Sequence, residues 1–187
     1  MKKIILLLTG LFICSGVVSY ARYVSRMTQD GTLFFIEPKK LNVVSNIKKF
    51  EYDMTLLSWS DSITLNFTFE SNLMSLPEQF YISADGNQFI CNDFKDLYID
   101  IKNKKYEIRI TSKFSAEEIQ KILSSQEPPV FCLKQDEIWG HASYKKGTWK
   151  KDQKKLLDIY NLYLYSKQRA YETQKITFNY IFNSCWL

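Results

Sequence analysis

The stretch Ile138-Trp139-Gly140-His141-Ala142-Ser143 carries the chain's only histidine. Imidazole is the side chain whose ordinary pKa lets it exchange a proton near neutral pH, so a hydrolase with a Ser or Cys nucleophile would have to orient that nucleophile against His141. Ser143 is badly placed for the part. Two residues apart on a strand, the two side chains share a face and point in parallel directions. Cys91, Cys132 and Cys185 could meet the ring only if the fold brings them there. The chain has no Gly-x-Ser-x-Gly, no phosphate-cradling Gly-rich loop and no His/Cys metal spacing. A lone strand histidine therefore reads as structural, and the sequence points away from an enzyme; a small hydrolase using His141 stands as an alternative.

Other reactive types have plainer readings. Asp93, Asp96 and Asp100 lie close together but lack the glycine and terminal glutamate of a calcium loop. No metal or other cofactor is implied. Glu117 and Glu118 could pass for paired catalytic carboxylates, yet Phe114-Ser115-Ala116-Glu117-Glu118-Ile119 has the pattern of a capping box with a hydrophobic staple, which uses them to start a helix. Asn66-Phe67-Thr68 satisfies the glycosylation sequon but sits in the middle of an alternating run.

The remaining chemistry is electrostatic. Lys150, Lys151, Lys154 and Lys155 follow Trp149 in a segment with helical period, and at about 100° per residue they fall on one arc with Asp158, Asn161, Gln168 and Arg169. Trp149, Leu156, Ile159, Tyr160, Tyr163, Leu164, Ala170 and Tyr171 gather on the other. An amphipathic helix packed on a sheet has this pattern without any partner. Lysines in a first turn nevertheless oppose the helix dipole at a few tenths of a kcal/mol each, so an anionic surface or acidic partner is the functional reading of this basic face.

The N-terminus supplies an address. Lys2 and Lys3 precede an apolar run from Ile4 to Val18, and Ser19-Tyr20-Ala21 puts small residues at both specificity positions, the pattern of a secretory signal peptide cleaved after Ala21. Thr9, Gly10, Ser15 and Gly16 interrupt the run, which falls short of the roughly 20 apolar residues of a bilayer span. No transmembrane segment is expected after cleavage. Lipidation at Cys14 is disfavoured by Ile13, which stands where that processing prefers a small residue. The expected location is periplasmic, cell-surface or secreted.

Of the 25 basic residues, Lys2 and Lys3 leave with the signal, and the 23 that remain against 20 acidic ones give a net charge of +3. That is too mild for a nucleic-acid binder, which concentrates far more positive charge. Three cysteines in an oxidising compartment allow at most one disulfide, but each lies in or beside an apolar run and reads as a buried small apolar residue.

The elements that must position these groups are mostly hairpins. Phe50 to Trp59 and Ile63 to Phe69 flank Ser60-Asp61-Ser62, and the second run alternates cleanly between Ile63, Leu65, Phe67, Phe69 and Thr64, Asn66, Thr68. Asp85-Gly86 marks a tight hairpin between Phe80 to Ile82 and Gln88 to Ile90. In the hairpin from Leu97 to Thr111, a loop through Lys104-Lys105 would set Asp100 opposite Arg109 and Lys102 opposite Glu107, and cross-strand charge favours that register. Val130 to Lys134 and Ile138 to Tyr144 form another strand pair, and the alternating run Ile176 to Asn183 reads as a last strand.

The sequence thus predicts an α+β fold: residues 1–21 a signal peptide, then 22–187 a single domain of antiparallel hairpins with a short helix at about 115–124, a long amphipathic helix at about 149–172 and a C-terminal strand. The expected function is an exported, non-catalytic binding module for a protein or envelope component. A glycan-binding module using exposed aromatics is an alternative, because the chain holds 4 tryptophans and 12 tyrosines.

Overall fold

Alternating apolar and polar residues, punctuated by short polar turns, build most of the chain into antiparallel strands. The computed structural model describes residues 22–44, 47–145 and 147–184, with side chains as far as Glu172. The expected signal peptide, residues 1–21 with Cys14, and Cys185 lie outside the described residues. In order the elements are β1 (Tyr23–Met27), β2 (Thr32–Lys40), β3 (Asn42–Val43), β4 (Phe50–Leu57), β5 (Ser62–Ser71), β6 (Gln79–Ala84), β7 (Asn87–Ile90), β8 (Lys95–Lys102), β9 (Lys105–Ser115), α1 (Ala116–Leu123), β10 (Val130–Gln135), β11 (Ile138–Ser143) and α2 (Trp149–Ser184).

The strands form two sheets, a first in the order β1-β2-β4-β5-β9-β8 and a second in the order β3-β11-β10-β6-β7. Their inner faces meet through aromatic rings. Phe67 and Phe80 lie 4.4 Å apart between centroids, Phe50 and Phe131 5.5 Å, and Tyr52 and Phe131 5.2 Å. One hydrophobic core joins both sheets and the two helices. Each large side chain fully buried there stabilises the fold by about 1.5–3 kcal/mol.

Local chemistry sets the ends of the elements. Asp85 and Gly86 both have positive φ, 47° and 80°, and join β6 to β7 through a two-residue turn. At the start of α1, Ser115 Oγ accepts from the Glu118 N–H (3.2 Å) and Glu118 Oε2 accepts from the Ser115 N–H (2.8 Å). Helix α2 buries Trp149, Leu156, Ile159, Tyr160 and Tyr163. Its polar groups anchor it to what lies beneath: Trp149 Nε1 donates to the Ser125 carbonyl (3.3 Å), Tyr160 Oη to that of Ala116 (2.8 Å) and Tyr163 Oη to that of Ser60 (3.0 Å).

Three expectations are corrected. Residues 176–183 do not form a terminal strand; they continue α2 to Ser184. Neither Gly nor Pro occurs between Trp149 and Ser184, and extending an existing helix needs no new nucleus, so the alternation of Ile176, Phe178, Tyr180 and Phe182 meets nothing that stops the helix. The expected buried stripe also ends early: past Tyr163, Leu164 is 38% and Tyr171 69% exposed.

The third correction concerns the β8–β9 hairpin. It loops through Asn103-Lys104, with φ of 52° and 61°, and pairs Asp100 with Glu107 and Lys102 with Lys105. A two-residue turn with both φ positive matches the twist of the strands. Of the two expected charge pairs, Lys102 still reaches Glu107 across the shifted register, while Asp100 and Arg109 do not meet. Glu107 takes Lys49 (3.2 Å) and Lys102 (3.7 Å), while Arg109 reaches Asp53 on β4 at 2.5 Å rather than Asp100.

Candidate functional site

The outer face of the second sheet holds the chain's one histidine in company. On β10, Phe131 and Leu133 turn inward and are buried, so Cys132 and Lys134 turn outward. On β11, Gly140 and Ala142 are buried inward, which leaves Trp139, His141 and Ser143 on the outer side. Pairing sets Cys132 directly opposite His141 on one flank and opposite Tyr81 of β6 on the other. Tyr81, Cys132 and His141 therefore form a single cross-strand row, with Gln79, Lys134 and Trp139 in the next.

The contacts are close. His141 Nδ1 lies 3.3 Å from Cys132 Sγ. The Trp139 and His141 rings are nearly parallel, 3° apart in plane and 6.3 Å between centroids, and Trp139 meets Tyr81 edge-on at 5.9 Å. Ser143 takes no part, because its Oγ donates to the Pro129 carbonyl at 3.0 Å.

A thiol beside an imidazole is the start of a nucleophilic pair, but the thiolate is the reactive form. Cys132 is 4% exposed. Burial pushes its thiol above the ordinary value, against a smaller lowering by the Tyr81 hydroxyl. Backbone donors are committed as well. Strand β10 is paired on both sides, to β11 and β6, so its amides are held in the ladders rather than aimed at a developing oxyanion. The geometry favours a resting, protonated Cys132 that packs the row together. Cys91 lies deeper still, its thiol pushed up to about 12 by burial, and both cysteines are free.

Beside this row the surface opens. A cleft of about 540 Å³ lies where β7 ends, walled by Tyr81 and Trp139 and rimmed by Gln79, Gln88, Ile90 and Asn92. Its floor reaches the buried side chains of Phe80 and Cys91.

The predicted basic face sits elsewhere. Lys150, Lys151 and Lys154 are exposed on the first turns of α2, and Lys155 is half-buried beside a groove it shares with Tyr23, Asp158 and Leu162. The helix that carries them packs on β2 and β4 of the first sheet, so they do not join His141. The dipole cost has an internal answer: Asp152, in the same first turn, is buried and ion-paired to Lys39 at 2.6 Å.

The other candidates are structural. Glu117 pairs with Lys121 at 2.7 Å, and Glu118 serves the cap. Asn66 of the sequon lies within β5, where its Nδ2 donates to Asp53 Oδ1 at 2.6 Å. Among the described residues no three His, Cys, Asp or Glu side chains are grouped to hold a metal ion, and no helix is long and apolar enough to cross a membrane.

Sequence reasoning missed the Cys132 to His141 contact, although a signal was available. Two strands joined by the two-residue turn Asp136-Glu137 put 132 opposite 141 by counting alone. The Tyr81 contact and the cleft depend on a pairing between β6 and β10, some 50 residues apart in the chain, that no local pattern announces. No family model, curated protein or solved structure matches the chain.

Proposed function

We propose that the chain is a non-catalytic binding module, exported to the periplasm, cell surface or medium of a bacterium, and that it engages a protein or envelope component through the outer face of its second sheet. The observation that carries this reading is the row of half-exposed rings, Tyr81, Trp139 and His141, opening onto the cleft at the end of β7. Aromatic rings held by neighbours offer large contact area at little entropy cost, which is why they dominate binding surfaces. The raised thiol of Cys132 and the paired backbone of β10 support binding over catalysis.

A second reading has one observation in its favour. The 3.3 Å contact between Cys132 Sγ and His141 Nδ1 is the geometry from which a small hydrolase would work. Hydrolysis of generic ester, peptide and glycan substrates, run beside co-sedimentation with a bacterial envelope preparation, separates the two. The binding reading expects no turnover, and sedimentation that Trp139→Ala removes. Turnover abolished by Cys132→Ala would replace it with the hydrolase. Sedimentation that survives Trp139→Ala, but is lost when Lys150→Glu, Lys151→Glu, Lys154→Glu and Lys155→Glu are combined, would move the contact to the basic face of α2.

A further inference from the structure

We infer that the cleft at the end of β7 takes a neutral carbohydrate, seated against Trp139 and Tyr81; this rests on the binding-module reading and names its ligand class. The argument starts from what lines the cleft. Among the described residues no Lys or Arg does, and its one carboxylate, Glu78, shares Lys134 (3.5 Å) with Glu137, which lies closer at 2.9 Å. The lining therefore offers no positive charge to a phosphate, a nucleotide or an acidic peptide, and the Glu78 carboxylate at its edge repels them. It offers instead three exposed primary amides at the rim, Gln79, Gln88 and Asn92, beside half-buried Tyr81, Trp139 and Phe94.

Each amide presents both donors and an acceptor, the combination that serves neighbouring hydroxyls, whose oxygens also donate and accept. An aromatic ring packs against the C–H face of a pyranose and leaves those hydroxyls pointing at the rim. The volume, about 540 Å³, lies inside the range of roughly 300–1,000 Å³ over which small-ligand pockets fall.

The strand geometry weighs against the main rival occupant, an extended peptide. Pairing between β6 and β7 begins at Tyr81 opposite Ile90, and one further bond follows, from the Cys91 N–H to the Phe80 carbonyl at 2.9 Å. Beyond it β6 extends only to Gln79. So short an open edge falls well below the usual strand length of about 5–6 residues, so strand addition would gain few backbone bonds.

The test titrates the exported protein with soluble cellohexaose, chitohexaose, mannohexaose and maltohexaose, followed by calorimetry and tryptophan fluorescence, with oligogalacturonate and an extended neutral heptapeptide as contrasts. At least one neutral hexasaccharide should bind, and Trp139→Ala should weaken it about tenfold or more. Gln88→Ala, a change at an exposed position on an edge strand, keeps the test open if the Trp139 variant folds poorly and should weaken binding severalfold. If no neutral hexasaccharide binds while Trp139→Ala still abolishes envelope sedimentation, the binding face stands and the carbohydrate assignment falls. Saccharide binding untouched by both variants, or preferential binding of the galacturonate or the peptide, overturns the assignment as well.

Discussion

The reactivity of Cys132 decides between a binding face and a catalytic one, and it can be forecast from the structure. An ordinary thiol near pKa 8.5 presents about 3% thiolate at pH 7. Burial holds Cys132 above its ordinary value, so it presents less. Access adds to this: with the residue 4% exposed, alkylation in proportion to accessible area would run roughly 25-fold slower than for an open thiol. The two effects multiply. Iodoacetamide labelling at pH 7, resolved by peptide mass spectrometry so that Cys91 and Cys132 are followed separately, should therefore be at least about 25-fold slower for Cys132 in the folded protein than in denaturant. The rate should climb as pH rises through and beyond 8.5, because deprotonation and not His141 limits it. His141→Ala should leave the native rate within about twofold, since the imidazole is not drawing off the proton. A native Cys132 that reacts at pH 7 as fast as the unfolded thiol, and slows when His141 is removed, would mean a thiolate–imidazolium pair, and the non-catalytic account would fail.

Two further predictions concern what holds the sheets in place. Asp53 has a side chain 1% exposed and is held by Arg109 at 2.5 Å and Asn66 at 2.6 Å, so Arg109→Ala strands a buried carboxylate and should cost about 3 kcal/mol, a fall in Tm of roughly 6–12 °C for a chain of this size. Urea unfolding of that variant and of the Asp53→Ala, Arg109→Ala pair should give markedly less than additive losses; additivity would mean that the two side chains are not coupled. At the β8–β9 turn Lys104 holds a φ of 61° that glycine adopts freely, so Lys104→Gly should raise stability by about 0.5–1 kcal/mol, and a loss in the same unfolding assay would contradict the turn assigned there.

Legibility followed the range of each interaction. The capping box of Ser115 and Glu118 and the Asp85-Gly86 turn are complete within four residues, so the sequence alone displays every partner they use. The β8–β9 register was misjudged because Glu107 and Arg109 were weighed only against their hairpin neighbours. Glu107 keeps Lys102 but its nearer partner, Lys49, and Arg109's partner, Asp53, arrive from earlier in the chain, leaving the turn residues to set the register. The terminal strand failed for a related reason. Alternation is a signal for a strand only where a sheet edge receives it, and here an uninterrupted helix precedes it. Nothing in the sequence reading anticipates β1 to β3, where Phe34-Phe35-Ile36 breaks the alternation of β2. The site was half legible: Cys132 and His141 face each other through a turn that can be counted, whereas Tyr81 comes from a strand about 50 residues away.

The proposed binding runs through the outer face of the second sheet. Chemical-shift mapping of isotopically labelled protein comprising residues 22–187, titrated with a solubilised bacterial envelope extract, distinguishes that face from the others. Perturbations should cluster on Tyr81, Cys132, Trp139, His141 and the rim of the neighbouring cleft, with α2 unmoved. Perturbations confined to the turns carrying Lys150, Lys151, Lys154 and Lys155, or none at saturating extract, would contradict it.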